Sequence, residues 1–160
     1  MLQVRAILHS TDFSERSGYA LQLASALARD YHARLILLHV VPRPPVVFGS
    51  EGLLPESQDL RAEAREQLDG LLVPGEGLLA ERRVMEGDPV AVILHVARET
   101  PADLVVLGTH GRTGLGRLLM GSVAEQVVRL APCPVLTVSA YVPASVHEPA
   151  ALALGVAGPI

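Results

Sequence analysis

The chain has 160 residues, 49% of them apolar, a net charge of −4 and a single cysteine, Cys133. That length suits one α/β domain with a sizeable core, and no apolar run approaches the roughly 20 residues that span a bilayer. The negative charge gives no electrostatic ground for binding nucleic acid or an anionic membrane, and all 13 basic residues are arginine, which excludes lysine-dependent phosphate loops and Schiff bases.

The N-terminus enters an apolar strand directly, without a signal-peptide pattern. With one cysteine and therefore no internal disulfide, a reducing cytoplasm is the expected location. Val4–Leu8 reads as the first strand. From Ser14 to His32 the apolar positions Ala20, Leu23, Leu27 and Tyr31 recur at helical spacing. Leu35–Val41 is the clearest strand, and Pro42 closes it. Residues 42–55 hold four prolines and two glycines and read as an irregular surface segment.

A second helix is predicted from Pro55 to Leu72, burying Leu60, Ala64, Leu68 and Leu71 and exposing Arg61, Glu63, Arg65 and Glu66. Leu79–Met85 is a third strand interrupted by charges. Asp88 then caps a third helix with Pro89 in its first position, and Val90, Ile93, Leu94 and Ala97 form its apolar face. Leu104–Leu107 is a fourth strand, Ser122–Ala131 a fourth helix and Pro134–Ser139 a fifth strand. The domain is expected over residues 1–142. Residues 143–160, rich in Ala, Pro and Gly, read as a tail, either disordered or packed through Leu152 and Leu154. Alternating strand and helix patterns of this kind indicate a buried, mostly parallel sheet.

Between the fourth strand and fourth helix runs Gly108-Thr-His-Gly-Arg-Thr-Gly-Leu-Gly-Arg-Leu-Leu-Met-Gly-Ser122, spaced Gly-x2-Gly-x9-Gly-Ser. Glycines let backbone amides approach a ligand closely, and the following helix N-terminus favours phosphate. Arg112 and Arg117 are placed to add charge-assisted bonds. A ligand-free explanation stands beside this one, because Ser122-Val-Ala-Glu125 is a capping-box sequence.

Gly108-Thr109-His110-Gly111, the nine-residue spacer, Gly121-Ser122-Val123-Ala124-Glu125 and Ala131-Pro132-Cys133-Pro134-Val135 closely resemble the universal stress protein family. Thr11-Asp12-Phe13-Ser14 and Gly87-Asp88-Pro89 match the same family, and the resemblance covers roughly residues 3–140. It implies an open five-stranded parallel sheet of order 3-2-1-4-5 with helices on both faces. Strands 1 and 4 would then flank a topological switch point, where ligands settle. It also implies a nucleotide site formed by Thr11, Asp12, Val40, Gly108, His110, Gly111, Arg112, Gly121, Ser122 and Val123. The ligand would be ATP, or ADP or AMP, with Mg²⁺ held through the phosphates.

Asp12 reads equally as the cap of the first helix. His9 and His39 end strands near the same crevice, but no acid or cysteine cluster at ligand spacing supports a metal. Cys133 reads as a small apolar residue. His9-Ser10 replaces the family's frequent apolar residue and proline, and Gly116 a frequently basic position. The resemblance further implies a homodimer through Val135–Val138, an exposed edge. The expected role is sensing or regulation with little hydrolysis. A slow Mg²⁺-dependent ATPase or adenylyl-transferring enzyme, and a nucleotide-free dimeric interaction module, are the alternatives.

Overall fold

The computed structural model describes residues 3–43, 57–75, 77–109 and 121–139. Most of the irregular segment, most of the glycine-rich loop and the tail at 143–160 lie outside them. Among the described residues five strands alternate with four helices in chain order: β1 (Ala6–Thr11), α1 (Glu15–Asp30), β2 (Arg34–Val41), α2 (Ser57–Asp69), β3 (Ala80–Glu86), α3 (Pro89–Glu99), β4 (Leu104–Gly108), α4 (Ser122–Leu130) and β5 (Val135–Val138). The strands form one parallel sheet of order β3-β2-β1-β4-β5, as expected.

Side chains alternate across that sheet and divide the core in two. Ala6, Leu8, Ile36, Leu38, Val105 and Leu107 pack with Val90, Ile93 and Val96 of α3 and Val127 of α4. Ile7, Leu35, Leu37 and Val106 pack with Ala20, Leu21, Ala24 and Ala28 of α1 and Leu68 of α2. Leu8, Leu35, Ile36, Leu37 and Leu38 are fully buried, each contributing roughly 1.5–3 kcal/mol relative to exposure.

The α1 stripe differs from expectation. Ser17, Ala20, Leu21, Ala24 and Ala28 are buried, Leu23 and Leu27 lie at the margin, and Tyr31 is an exposed C-cap. Small residues bring α1 close to the sheet and leave its larger side chains to fill the flanks. In α2, Ala64 and Leu68 are buried as expected, while Leu60 is half-buried, and Leu71, past the helix end, is also half-buried. Asp88 caps α3 as predicted, its carboxylate accepting from Ala91 N at 2.8 Å with Pro89 in the first turn.

The two sheet edges are unlike. Arg82 of β3 donates to the carbonyls of Leu68 and Leu71 at 3.0 Å. Arg83 pairs with Glu81 at 2.6 Å and Glu99 at 3.2 Å, and these acids, chiefly Glu81, push its pKa up. β5 reads Val-Leu-Thr-Val and carries no charge. Among the described residues no helix is long and apolar enough to cross a membrane.

Candidate functional site

β1 runs further than its apolar residues suggest. His9, Ser10 and Thr11 continue the strand, with Thr11 opposite His39 of β2 and Ser10 opposite Leu107 of β4. This is the point where neighbouring connections diverge to opposite faces, and a crevice of about 400 Å³ opens there. Thr11, Asp12, Val40, Gly108, Gly121, Ser122 and Val123 all line it, as do Ser10, His39 and Thr109. His110, Gly111 and Arg112 lie outside the described residues. Val40, Pro42, Pro89, Ile93 and Leu107 supply an apolar flank, the surface a planar base or other apolar group would need.

On the β1 side the chain turns sharply. The Thr11 hydroxyl accepts from Phe13 N at 3.0 Å and lies 2.8 Å from the Ser17 hydroxyl, both hydroxyls being buried. Asp12 Oδ1 accepts from Ser14 N at 3.0 Å. Asp12 is therefore not the cap of α1: Ser14 takes that role, its hydroxyl accepting from Ser17 N at 3.2 Å. Asp12 instead braces the turn from two residues before the cap, an arrangement open to aspartate because its short carboxylate reaches the nearby backbone. Phe13 sits at φ 62°, a left-handed conformation that non-glycine residues adopt rarely.

On the α4 side the expected capping box is absent. Gly121 is the N-cap, Ser122 already lies in the first helical turn, and Glu125 pairs with Arg129 across one turn. Ser122 is one residue too late to cap, so its exposed hydroxyl makes no hydrogen bond to another described residue. Gly121 N–H donates to the Thr109 carbonyl, and Glu125 N–H to the Gly121 carbonyl. The amides of Ser122, Val123 and Ala124 have no partner among the described residues, the usual state of a first turn. They line the crevice and, with the helix dipole, favour an anion there.

Gly108 is needed for packing as well as for access. A Cβ there would lie 3.0 Å from Ser17 N and 3.1–3.2 Å from the Arg16 carbonyl. The strand end thus abuts the α1 backbone, a contact the local sequence pattern does not reveal.

The histidines divide. His9 is fully buried and does not line the crevice; its Nδ1 lies 3.0 Å from the Val106 carbonyl, so Nδ1 carries the proton. Burial lowers its pKa to about 4, against smaller raising effects from that hydrogen bond and Asp12, and Nε2 finds no partner among the described residues. His39 does line the crevice, with Nδ1 donating to the Thr11 carbonyl at 2.8 Å and its ring stacked on Phe13 at 4.4 Å. Neither histidine belongs to a metal-holding cluster among the described residues. Cys133 is half-buried against the core, and burial, helped by Asp103, pushes its thiol pKa up. A thiol so shifted has little thiolate character, which fits the expected apolar role.

Comparison with known proteins agrees with this architecture. The sequence profile of the universal stress protein family matches residues 3–139. A universal stress protein of Methanocaldococcus jannaschii is 37% identical over 140 residues, covering 84% of this chain and 81% of the relative. The solved structure of another universal stress protein of that archaeon superposes with a TM-score of 0.71 at 26% identity, covering 89% of this chain and all of its own. The universal stress protein of Archaeoglobus fulgidus, solved in complex with dAMP, shares the fold with a TM-score of 0.63 at 24% identity, covering 87% of this chain and all of its own.

Proposed function

From a chain that belongs to the universal stress protein family, we propose that the crevice binds an adenine nucleotide, ATP or its di- or monophosphate, and that occupancy serves sensing or regulation. One observation carries this reading: three first-turn amides of α4, without partners among the described residues, border a crevice of about 400 Å³ at the sheet's switch point. The apolar flank of Val40, Pro42, Pro89 and Ile93 suits a purine face, and Asp12 suits a ribose. That a protein of this fold is solved with dAMP supports the choice of adenine.

Phosphates would be held by amides, the Ser122 hydroxyl and arginine, since the chain has no lysine. Mg²⁺ would be bound through phosphate oxygens. Rapid turnover is not expected, because it needs a group that positions water and a strong clamp on the terminal phosphate, and the described lining residues offer no such pair. Pairing of two copies through β5, whose four residues carry no charge, belongs to the same proposal.

The test uses the purified full chain. Nucleotide released by denaturation is identified by mass, and AMP, ADP and ATP are titrated calorimetrically with and without Mg²⁺. Binding of an adenine nucleotide with negligible release of phosphate is expected. No copurified nucleotide and no binding at millimolar concentration would overturn the proposal.

A further inference from the structure

Among the residues that line the crevice, His39 has a geometry that direct contact with a nucleotide would not require. Its Nδ1–H donates to the carbonyl of Thr11, the last residue of β1, at 2.8 Å. A carbonyl can only accept, so this bond fixes the tautomer. The same ring stacks on Phe13 with centroids 4.4 Å apart and planes 30° from parallel. One imidazole thus holds the residue before Asp12 by its backbone and the residue after it by its side chain. Phe13 needs holding: it is a non-glycine residue at φ 62°, where surrounding contacts must sustain a sparsely populated conformation.

We infer that His39 is a positioning residue, which fixes the Thr11–Phe13 turn so that the Asp12 carboxylate is presented to the crevice. The inference rests on the nucleotide reading above for what Asp12 meets, but the clamp itself is a property of the free protein. Asp12 Oδ1 is engaged by Ser14 N, so the orientation of the second oxygen follows the turn. A ring that merely filled space would be replaced without loss by phenylalanine. A positioning donor would not be.

The experiment compares His39→Phe, which keeps an aromatic ring and loses the donor, with His39→Asn, whose side-chain amide can reach the same carbonyl. AMP affinity is measured for both, for Asp12→Ala and for the double variant His39→Phe/Asp12→Ala. His39→Phe is expected to weaken AMP about tenfold, with His39→Asn within about threefold of the parent. Because His39 acts through Asp12, the double variant should bind no more weakly than Asp12→Ala alone. Multiplying losses, parental binding by His39→Phe, or a tenfold loss in a folded His39→Asn would each overturn the inference. Amide exchange at Phe13 and Ser14 without ligand gives a separate reading. Faster exchange in His39→Phe supports the clamp even if the parent binds no nucleotide, a result that would defeat only the nucleotide proposal. Unchanged exchange overturns the clamp.

Discussion

On the β1 side of the crevice, the Thr11 hydroxyl is occupied by Phe13 N and Ser17, Asp12 Oδ1 by Ser14 N, and the Thr11 carbonyl by His39. On the α4 side, the amides of residues 122–124 and the Ser122 hydroxyl have no partner among the described residues. The first wall is therefore built by the protein upon itself and is organised before any ligand arrives. The second is a row of donors that no other described residue satisfies. Damage to the first wall should register in stability, and damage to the second in affinity alone.

The largest effect is expected from pH at the foot of the first wall. His9 is neutral when folded, with a pKa near 4, but takes up a proton near 6.5 when unfolded. As pH falls below 6.5 the unfolded chain gains protons that the folded one does not, and stability drops until about pH 4. The loss over that window is on the order of 3 kcal/mol from His9. Urea unfolding at pH 7 and pH 4.5 measures it, and a His9→Leu variant should lack this part of the slope.

Next in size, Gly121→Val places a branched side chain where the α4 amides must be approached. AMP binding should fall by about a hundredfold, roughly 3 kcal/mol, with the thermal midpoint little changed. A collapse of stability instead would mean that the second wall is structural too. Thr11→Val, on the first wall, removes a buried partner from both Phe13 N and Ser17. It should cost about 2 kcal/mol of unfolding free energy, measured by denaturant titration without ligand. The smallest effect belongs to Ser122→Ala. An exposed hydroxyl in the first helical turn contributes little to the fold, so the expected result is unaltered stability and a Kd raised about fivefold by calorimetry, one hydrogen bond's worth.

This contrast explains what could be read from the sequence. The second wall is contiguous: Gly121-Ser122-Val123 announces itself by spacing, and the βα alternation with the family resemblance placed it beside β1. Even there, the capping-box sequence that stands beside the phosphate reading does not reveal which residue first turns helical; Gly121, not Ser122, takes the cap position. The first wall is assembled from residues distant in sequence. Local pattern ended β1 at Leu8, since His9, Ser10 and Thr11 are polar, yet sheet pairing with β2 and β4 carries them onward. By sequence Asp12 reads equally as a site residue and as the helix cap, and Ser14, two residues on, is the cap. The stack of His39 on Phe13 and the approach of Gly108 to α1 are long-range contacts that no local pattern encodes.

The hydrogen bond from Gly121 N–H to the Thr109 carbonyl also bears on chain entropy. It brings together the two ends of the glycine-rich segment, so the cost of closing that loop is met by folding and is not charged to the ligand. Closure cost grows only with the logarithm of length, by ~0.6 kcal/mol for each doubling. The length of the segment between these two residues is thus weakly constrained by stability, which, on the nucleotide proposal, leaves it open to be set by the ligand.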